Sequence, residues 1–181
     1  LEPYETALKS YLGLIKRTID FIKVTGSNPK DAVSKGANDA HERVSQFYIL
    51  FERIWESYHR LCAAKSYLDF NDLMIKSNDL LSSNSSIKEA LQSRFQYILV
   101  DEFQDVNIPQ VNLIKSLITP NTQLFCVGDD WQSIYGFRGS VVDYIVNFDE
   151  YFPDSKKHFL NLNYRSNHSI VTTGNEVIKR N

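Results

Sequence analysis

Ile98-Leu99-Val100-Asp101-Glu102-Phe103-Gln104-Asp105 is the stretch that decides the fold: an apolar run ends abruptly in two adjacent carboxylates. Together with the residues before it, Phe95-Gln96-Tyr97, the run predicts a buried β-strand. In a parallel α/β sheet the C-terminal ends of strands face the ligand crevice, so Asp101 and Glu102 would stand where substrate binds. That is the arrangement a Walker B element needs. Asp101 would hold Mg²⁺, directly or through water, and Glu102 would orient and polarise an attacking water. Taken alone, the same pattern is also that of an ordinary strand ending in solvated acids.

Downstream, a second apolar run, Gln123 to Val127, leads into Gly128-Asp129-Asp130-Trp131-Gln132-Ser133-Ile134-Tyr135-Gly136-Phe137-Arg138-Gly139. Gln132 carries a neutral amide that can both donate and accept, which suits a terminal phosphate or the attacking water. Tyr135, Phe137 and Arg138 place two flat rings and a guanidinium within four residues, a composition suited to sequence-independent stacking on single-stranded bases. The alternative is a glycine-rich loop whose aromatics cap the core. Leu160-Asn161-Leu162-Asn163-Tyr164-Arg165-Ser166 follows as a strand leading into a helix cap. Tyr164 could stack on a purine and Arg165 could neutralise charge developing on a phosphate; the plainer reading is a surface arginine.

Around these segments the texture is α/β. Pro109 to Leu117 predicts a helix with Asn107 as its cap, Ser140 to Tyr151 a second helix, and His158 to Leu162 a third strand. Ser166 would cap a final helix to about Lys179. Strand–helix alternation of this kind predicts a parallel sheet with crossover helices. Upstream the chain is helical throughout. Tyr4, Leu8, Tyr11, Leu12, Ile15, Ile19 and Ile22 recur at helical steps up to Gly26, and Ser27-Asn28-Pro29 reads as a turn. Val44, Phe47, Phe51, Ile54, Tyr58 and Leu61 define a helix from about Asn38 to Lys65. The spacing of Trp55 and Tyr58 marks them as aromatic core rather than base-stacking groups. Phe70 to Leu81 is a further helix, and Ser86 with Glu89 fits a capping box that opens another. The division implied is a helical segment over residues 1–66 and an α/β segment over 67–181.

Composition narrows the function less. The 181 residues carry 20 basic and 22 acidic side chains, a net charge of -2. That argues against a small basic module held to nucleic acid mainly by phosphate contacts, but not against a motor that grips single strands through a few aromatic and basic groups. No apolar run approaches the length of a membrane span. Two cysteines, Cys62 and Cys126, are too few for a disulfide framework, so a reduced, cytoplasmic setting is expected.

The three strand-end segments resemble, in order and spacing, the UvrD/Rep-type superfamily 1 DNA helicases. Val-Asp-Glu-Phe-Gln-Asp is similar to their motif II, Gly-Asp-Asp-Trp-Gln-Ser-Ile-Tyr-Gly-Phe-Arg-Gly to motif III and Asn-Tyr-Arg-Ser to motif IV. Asp69-Phe70-Asn71-Asp72-Leu73 upstream matches as well, whereas residues 1–66 resemble the family only in being helical, as its inserted helical domain is. Trp131 stands where many members carry a third Asp, and Phe137 where many carry Trp; the Gly-Asp-Asp-Trp-Gln form looks like the helicase IV branch.

The resemblance implies a partial RecA-like sheet and a parent protein that couples ATP hydrolysis, with Mg²⁺, to 3′-to-5′ movement on single-stranded DNA and to unwinding at duplex junctions. It implies that Gln132 senses the γ-phosphate, that Tyr135 and Phe137 face DNA, and that Tyr164 and Arg165 touch base and γ-phosphate. The P-loop signature is absent, since none of the seven glycines precedes a lysine. A Walker A segment and a second RecA-like domain are therefore expected elsewhere in the same protein, and residues 1–181 alone should bind ATP poorly and hydrolyse none. Strands missing from the sheet should leave an edge that invites self-association. Two other readings are a related ATPase acting on RNA polymerase and a non-catalytic scaffold; the presence of Asp101, Glu102, Gln132 and Arg165 together argues against the scaffold.

Overall fold

Three helices build the first core. The computed structural model describes residues 2–180, apart from the side chains of Glu2, Pro3 and Arg138. Helix α1 (Glu2–Thr25) turns Ile15, Ile19 and Ile22 inward, the i, i+4, i+7 pattern of an amphipathic helix. It stops where Gly26 takes φ +63°, a conformation that costs a residue without a Cβ little. Asn28 then caps α2 (Pro29–Ala37), its side chain accepting from the Lys30 N–H at 3.0 Å, with Pro29 in the first turn. The predicted turn at 27–29 is thus the start of an extra helix, and α3 (Glu42–Lys65) begins some four residues later than its periodicity suggested. The bare Cα of Gly36 on α2 lets the Tyr48 ring of α3 lie against the backbone, where a Cβ would collide with it. Phe51 is fully buried between Phe47, Tyr48 and Trp55. Trp55 and Tyr58 pack against this cluster, as their spacing predicted.

Lys23, near the end of α1 and only 5% exposed, reaches α4 (Phe70–Ser83). Its ammonium meets Asp69 at 2.6 Å and Asp72 at 2.7 Å, and Asp69 also accepts from the Tyr58 hydroxyl at 2.7 Å. The same two aspartates form the capping box of α4. One buried cation therefore fastens α1 to the start of α4 while the Tyr58 hydroxyl brings in α3. Asn84, rather than Ser86, caps the next helix, α5 (Ser85–Gln92), because its side-chain oxygen reaches the Ile87 N–H at 3.0 Å.

The α/β part follows. Strand β1 (Tyr97–Val100) leads through a 3₁₀ turn at Phe103–Asp105 into α6 (Ile108–Leu117), and β2 (Gln123–Cys126) returns parallel to β1. Asn107 caps α6 in a capping box with Gln110, and Pro109 sits in its first turn. In register, Tyr97 faces Gln123, Ile98 Leu124, Leu99 Phe125 and Val100 Cys126. Val100 and Cys126 look toward a second core around Phe103, Val106 and Val111. The opposite face carries Leu99 and Phe125, 74% and 61% exposed, so the strand expected to be buried is covered on one side only.

Other expectations fail for identifiable reasons. Residues 158–162 form no strand, since nothing among the described residues hydrogen-bonds beside them and Leu160 is 93% exposed. The helix expected over Ser140–Tyr151 is two short ones, α7 (Asp143–Val146) and α8 (Phe148–Tyr151), broken at Asn147. Ser140 instead forms a β-bridge with Asn107, which holds the chain extended ahead of α7. The last helix, α9 (His168–Ile178), takes Asn167 as its cap in place of Ser166. No helix among the described residues is long and apolar enough to cross a membrane.

Candidate functional site: two strand ends joined by an amide

Because β1 and β2 are parallel, their C-terminal ends lie side by side. Pairing runs one residue past the strands: the Val127 N–H donates to the Val100 carbonyl at 2.9 Å, and the Phe103 N–H to the Val127 carbonyl at 2.8 Å. The loops after the two strands are thereby brought together, as the sequence predicted.

At the end of β1 the chain must turn Phe103 into the core while leaving the acids in water. Phe103 is fully buried, edge-on to Phe148 at 5.3 Å. Glu102 absorbs the turn with φ 50°, ψ 44°, a left-handed conformation that costs a non-glycine residue about 1 kcal/mol or more and clusters at functional sites. Asp101 and Glu102 are both exposed. One Asp101 oxygen accepts from the Glu102 N–H at 2.9 Å. Among the described residues no cation is paired with either acid.

A cavity of about 410 Å³ opens beside them, lined by Met74, Asp101, Glu102, Asp105, Gln110 and Leu113 among others. One carboxylate oxygen of Asp105 is buried there with no hydrogen-bond partner among the described residues. A second hollow of about 400 Å³ lies at the other end of the strands, around Gln96, Thr119 and Thr122. Among the described residues its only ionisable group is Glu89, in contrast to the three carboxylates at the C-terminal end.

Gln104 links the two loops. It is 2% exposed. Its amide nitrogen donates to Glu102 at 2.8 Å, and its amide oxygen accepts from the Asp129 N–H at 3.0 Å. Its backbone carbonyl also accepts from the Ser133 hydroxyl at 3.3 Å. Asp129 in turn accepts from the Trp131 N–H at 3.1 Å and from the Gln132 side chain at 2.7 Å. Neither Gln104 nor Asp129 was singled out from the sequence. The usable signal was a polar residue directly after a phenylalanine that must be buried.

Gln132 is exposed beside Trp131. Beyond it the rings of Tyr135 and Phe137 lie 5.9 Å apart, tilted by 50°, with Phe137 70% exposed. The side chain of Arg138 lies outside the described residues. Gly139 takes φ +81° and sits against Val24 of α1, so the ring-bearing loop rests on the helical segment. Tyr164 is 91% exposed, and Asn163 accepts from the backbone N–H groups of Arg165 and Ser166, both at 2.9 Å. Among the described residues no hydrogen bond or ion pair joins Tyr164 or Arg165 to Asp101, Glu102 or Gln132.

Asp101 fits a hard cation. Its second carboxylate oxygen makes no hydrogen bond among the described residues, and no group of three or more His, Cys, Asp or Glu residues is gathered there into a protein cage. That is the donor set of a Mg²⁺ carried largely by phosphates and water. The Cys126 thiol is pushed up to about 12 by burial, which leaves it a packing group rather than a nucleophile.

The helices and the parallel strand pair are those of a partial RecA-like α/β fold. The chain belongs to a family described as the UvrD/REP helicase N-terminal domain, whose model matches residues 4–153. It is 43% identical over 129 residues to the putative ATP-dependent DNA helicase YjcD of Bacillus subtilis, covering 71% of this chain and 17% of that protein. It is 37% identical over 173 residues to the ATP-dependent DNA helicase PcrA of Staphylococcus epidermidis and 35% identical to that of Staphylococcus aureus, covering 96% of this chain and 22% of each relative. The chain thus spans about a fifth of the length of the curated relatives it matches.

Proposed function

We propose that the chain supplies the carboxylate half of the ATP site, and part of the DNA-facing surface, of an ATP-dependent DNA helicase. The observation that carries this reading is the exposed Asp101–Glu102 pair, with no cation paired to it among the described residues and joined by hydrogen bonds to the loop that bears Gln132, Tyr135 and Phe137.

Mg²⁺ would supply charge neutralisation on the phosphates, and Asp101 is the residue that would hold it. Glu102 orients and polarises the attacking water, and Gln132 meets the γ-phosphate. Arg165 and Tyr164, on a segment remote from the acids in hydrogen bonding, approach the γ-phosphate and base when nucleotide closes the site. Tyr135, Phe137 and Arg138 stack on and neutralise single-stranded DNA near duplex junctions.

A phosphate-cradling loop and a second RecA-like domain of the same protein complete the cleft. Residues 1–66 act as the inserted helical subdomain and 67–181 as the distal part of the first RecA-like domain. The setting is the cytoplasm. The bare Leu99–Phe125 face and the strand edges lead chains lacking their covering segments to self-associate; a strictly monomeric sedimentation profile would count against this last point.

The test is strand displacement by the full-length protein on a tailed duplex, with ATP hydrolysis followed in parallel. Hydrolysis stimulated by single strands, and unwinding that needs it, are expected. Turnover indifferent to DNA would move the assignment to an ATPase acting on another machine such as RNA polymerase. No turnover at all would make the chain a scaffold.

A further inference from the structure

A side-chain amide has one acceptor and one donor group, and Gln104 places one of each on the two strand ends. Only one orientation of the amide works: flipped, it would set its oxygen against the Glu102 carboxylate and its NH₂ against the Asp129 N–H. The packing leaves no slack. A Cβ on Gly128 would lie 2.6 Å from the Gln104 amide oxygen and 2.7 Å from Ile145, so the β2 loop approaches this closely only because residue 128 is glycine.

We propose that Gln104 is a positioning residue that ties the orientation of Glu102 to the state of the Asp129–Gln132 loop. The path is three hydrogen bonds long: Glu102 to the Gln104 NH₂ at 2.8 Å, the Gln104 oxygen to the Asp129 N–H at 3.0 Å, and the Asp129 carboxylate to the Gln132 NH₂ at 2.7 Å. In this structure Gln132 spends its amide N–H on Asp129. A terminal phosphate competes for the same donor, and a Gln132 that turns to phosphate releases the Asp129 carboxylate. The Asp129 backbone N–H then shifts on the Gln104 oxygen, and the Gln104 NH₂ shifts with the carboxylate it holds. The bias comes from a donor made in one state and lost in the other, which is what coupling requires. The tie rests on the reading that Glu102 and Gln132 act on ATP.

The experiment uses the full-length protein with Gln104→Met, which keeps the volume and removes both hydrogen bonds, beside Gln104→Glu, which keeps the shape and loses the donor. Gln104→Met should lower kcat by about 10- to 100-fold, chiefly through the lost hydrogen bond to the charged Glu102, and Gln104→Glu, which also sets a second carboxylate against Glu102, by at least as much. The KM for ATP should stay within about threefold, since ground-state binding does not pass through this amide. In a double-mutant cycle with Gln132→Ala the losses should be less than additive. Amide exchange over residues 129–133 should quicken in Gln104→Met but not in Glu102→Gln.

Unchanged kcat, additive losses, or a fall in kcat fully accounted for by a lowered melting temperature would each overturn the proposal. The exchange measurement needs no turnover. If the wild-type protein hydrolyses no ATP the functional reading fails by itself, and exchange over 129–133 still decides the tie: quickened supports it, unchanged overturns it.

Discussion

Two acidic pairs in this chain receive opposite treatment. Asp69 and Asp72 close a capping box, share the buried ammonium of Lys23 and take the Tyr58 hydroxyl. Burial alone would raise the Asp69 carboxyl, but hydrogen bonds from Lys23, Tyr58 and the Asp72 backbone hold it at about 2. The Tyr58 hydroxyl is raised in return, by its bond to Asp69 first and by burial second. Asp101 and Glu102 stand exposed, with donors only from the Glu102 backbone and Gln104 and no cation among the described residues. A saturated pair has no valence left for a ligand and serves to lock elements together. An unsaturated pair at the mouth of a cavity keeps its capacity for a metal ion and a water.

Removing Lys23 is the largest test of the saturated side. Lys23→Met in the full-length protein leaves two carboxylates facing each other at 26% and 14% side-chain exposure. It should cost about 3 kcal/mol in urea unfolding, the low end for a broken buried pair because some water remains. A loss below about 1 kcal/mol, as for a surface pair, would erase the contrast.

Phe137→Ala comes next. It should weaken single-stranded oligonucleotide binding, read by fluorescence anisotropy, by about 1–3 kcal/mol. The KM for ATP should not move. Equal losses in both would mean that the ring supports the fold of the loop rather than DNA.

The smallest effect is on pH dependence. His59, packed against Trp55 at 4.4 Å, has its pKa lowered, by burial first and then by the Lys23 charge. A histidine that resists protonation when folded contributes stability above its ordinary 6.5 that is lost as pH falls through the lowered value. Asp69, depressed from 3.8 to about 2, contributes stability present above 3.8 and lost as pH falls toward 2. The melting temperature should therefore drop in two acid steps. His59→Phe should remove the first, and a melting curve keeping both steps in that variant would reassign it.

Much of this was legible in the sequence because it depends on local chemistry. Asn107 before Pro109 gave α6 its cap, Gly26 gave α1 its stop, and the apolar runs ending at Val100 and Val127 gave the two parallel strand ends that bring Asp101, Glu102 and Gln132 into one region. What failed depends on partners distant along the chain. Residues 158–162 have strand composition but no ladder to join, and Ser140 left its expected helix because Asn107 bridges to it. The partner of Gln104 could not be read for the same reason: its amide oxygen accepts from Asp129, 25 residues away, although its place after a buried phenylalanine marked it. Nor could spacing tell which aspartates Lys23 would saturate, although the Asp69–Asp72 capping box lies within one helical turn.

The most direct test of the account compares ATP turnover, with saturating single-stranded DNA, in full-length wild type and Glu102→Gln. A fall in kcat of about 100- to 10,000-fold is expected, the range for removing a general base, with urea unfolding nearly unchanged because the substituted amide keeps an oxygen that can still accept from Gln104. Turnover within a few-fold of wild type, or a large loss of stability in its place, would contradict it and put the Asp101–Glu102 pair among the structural acids with Asp69 and Asp72.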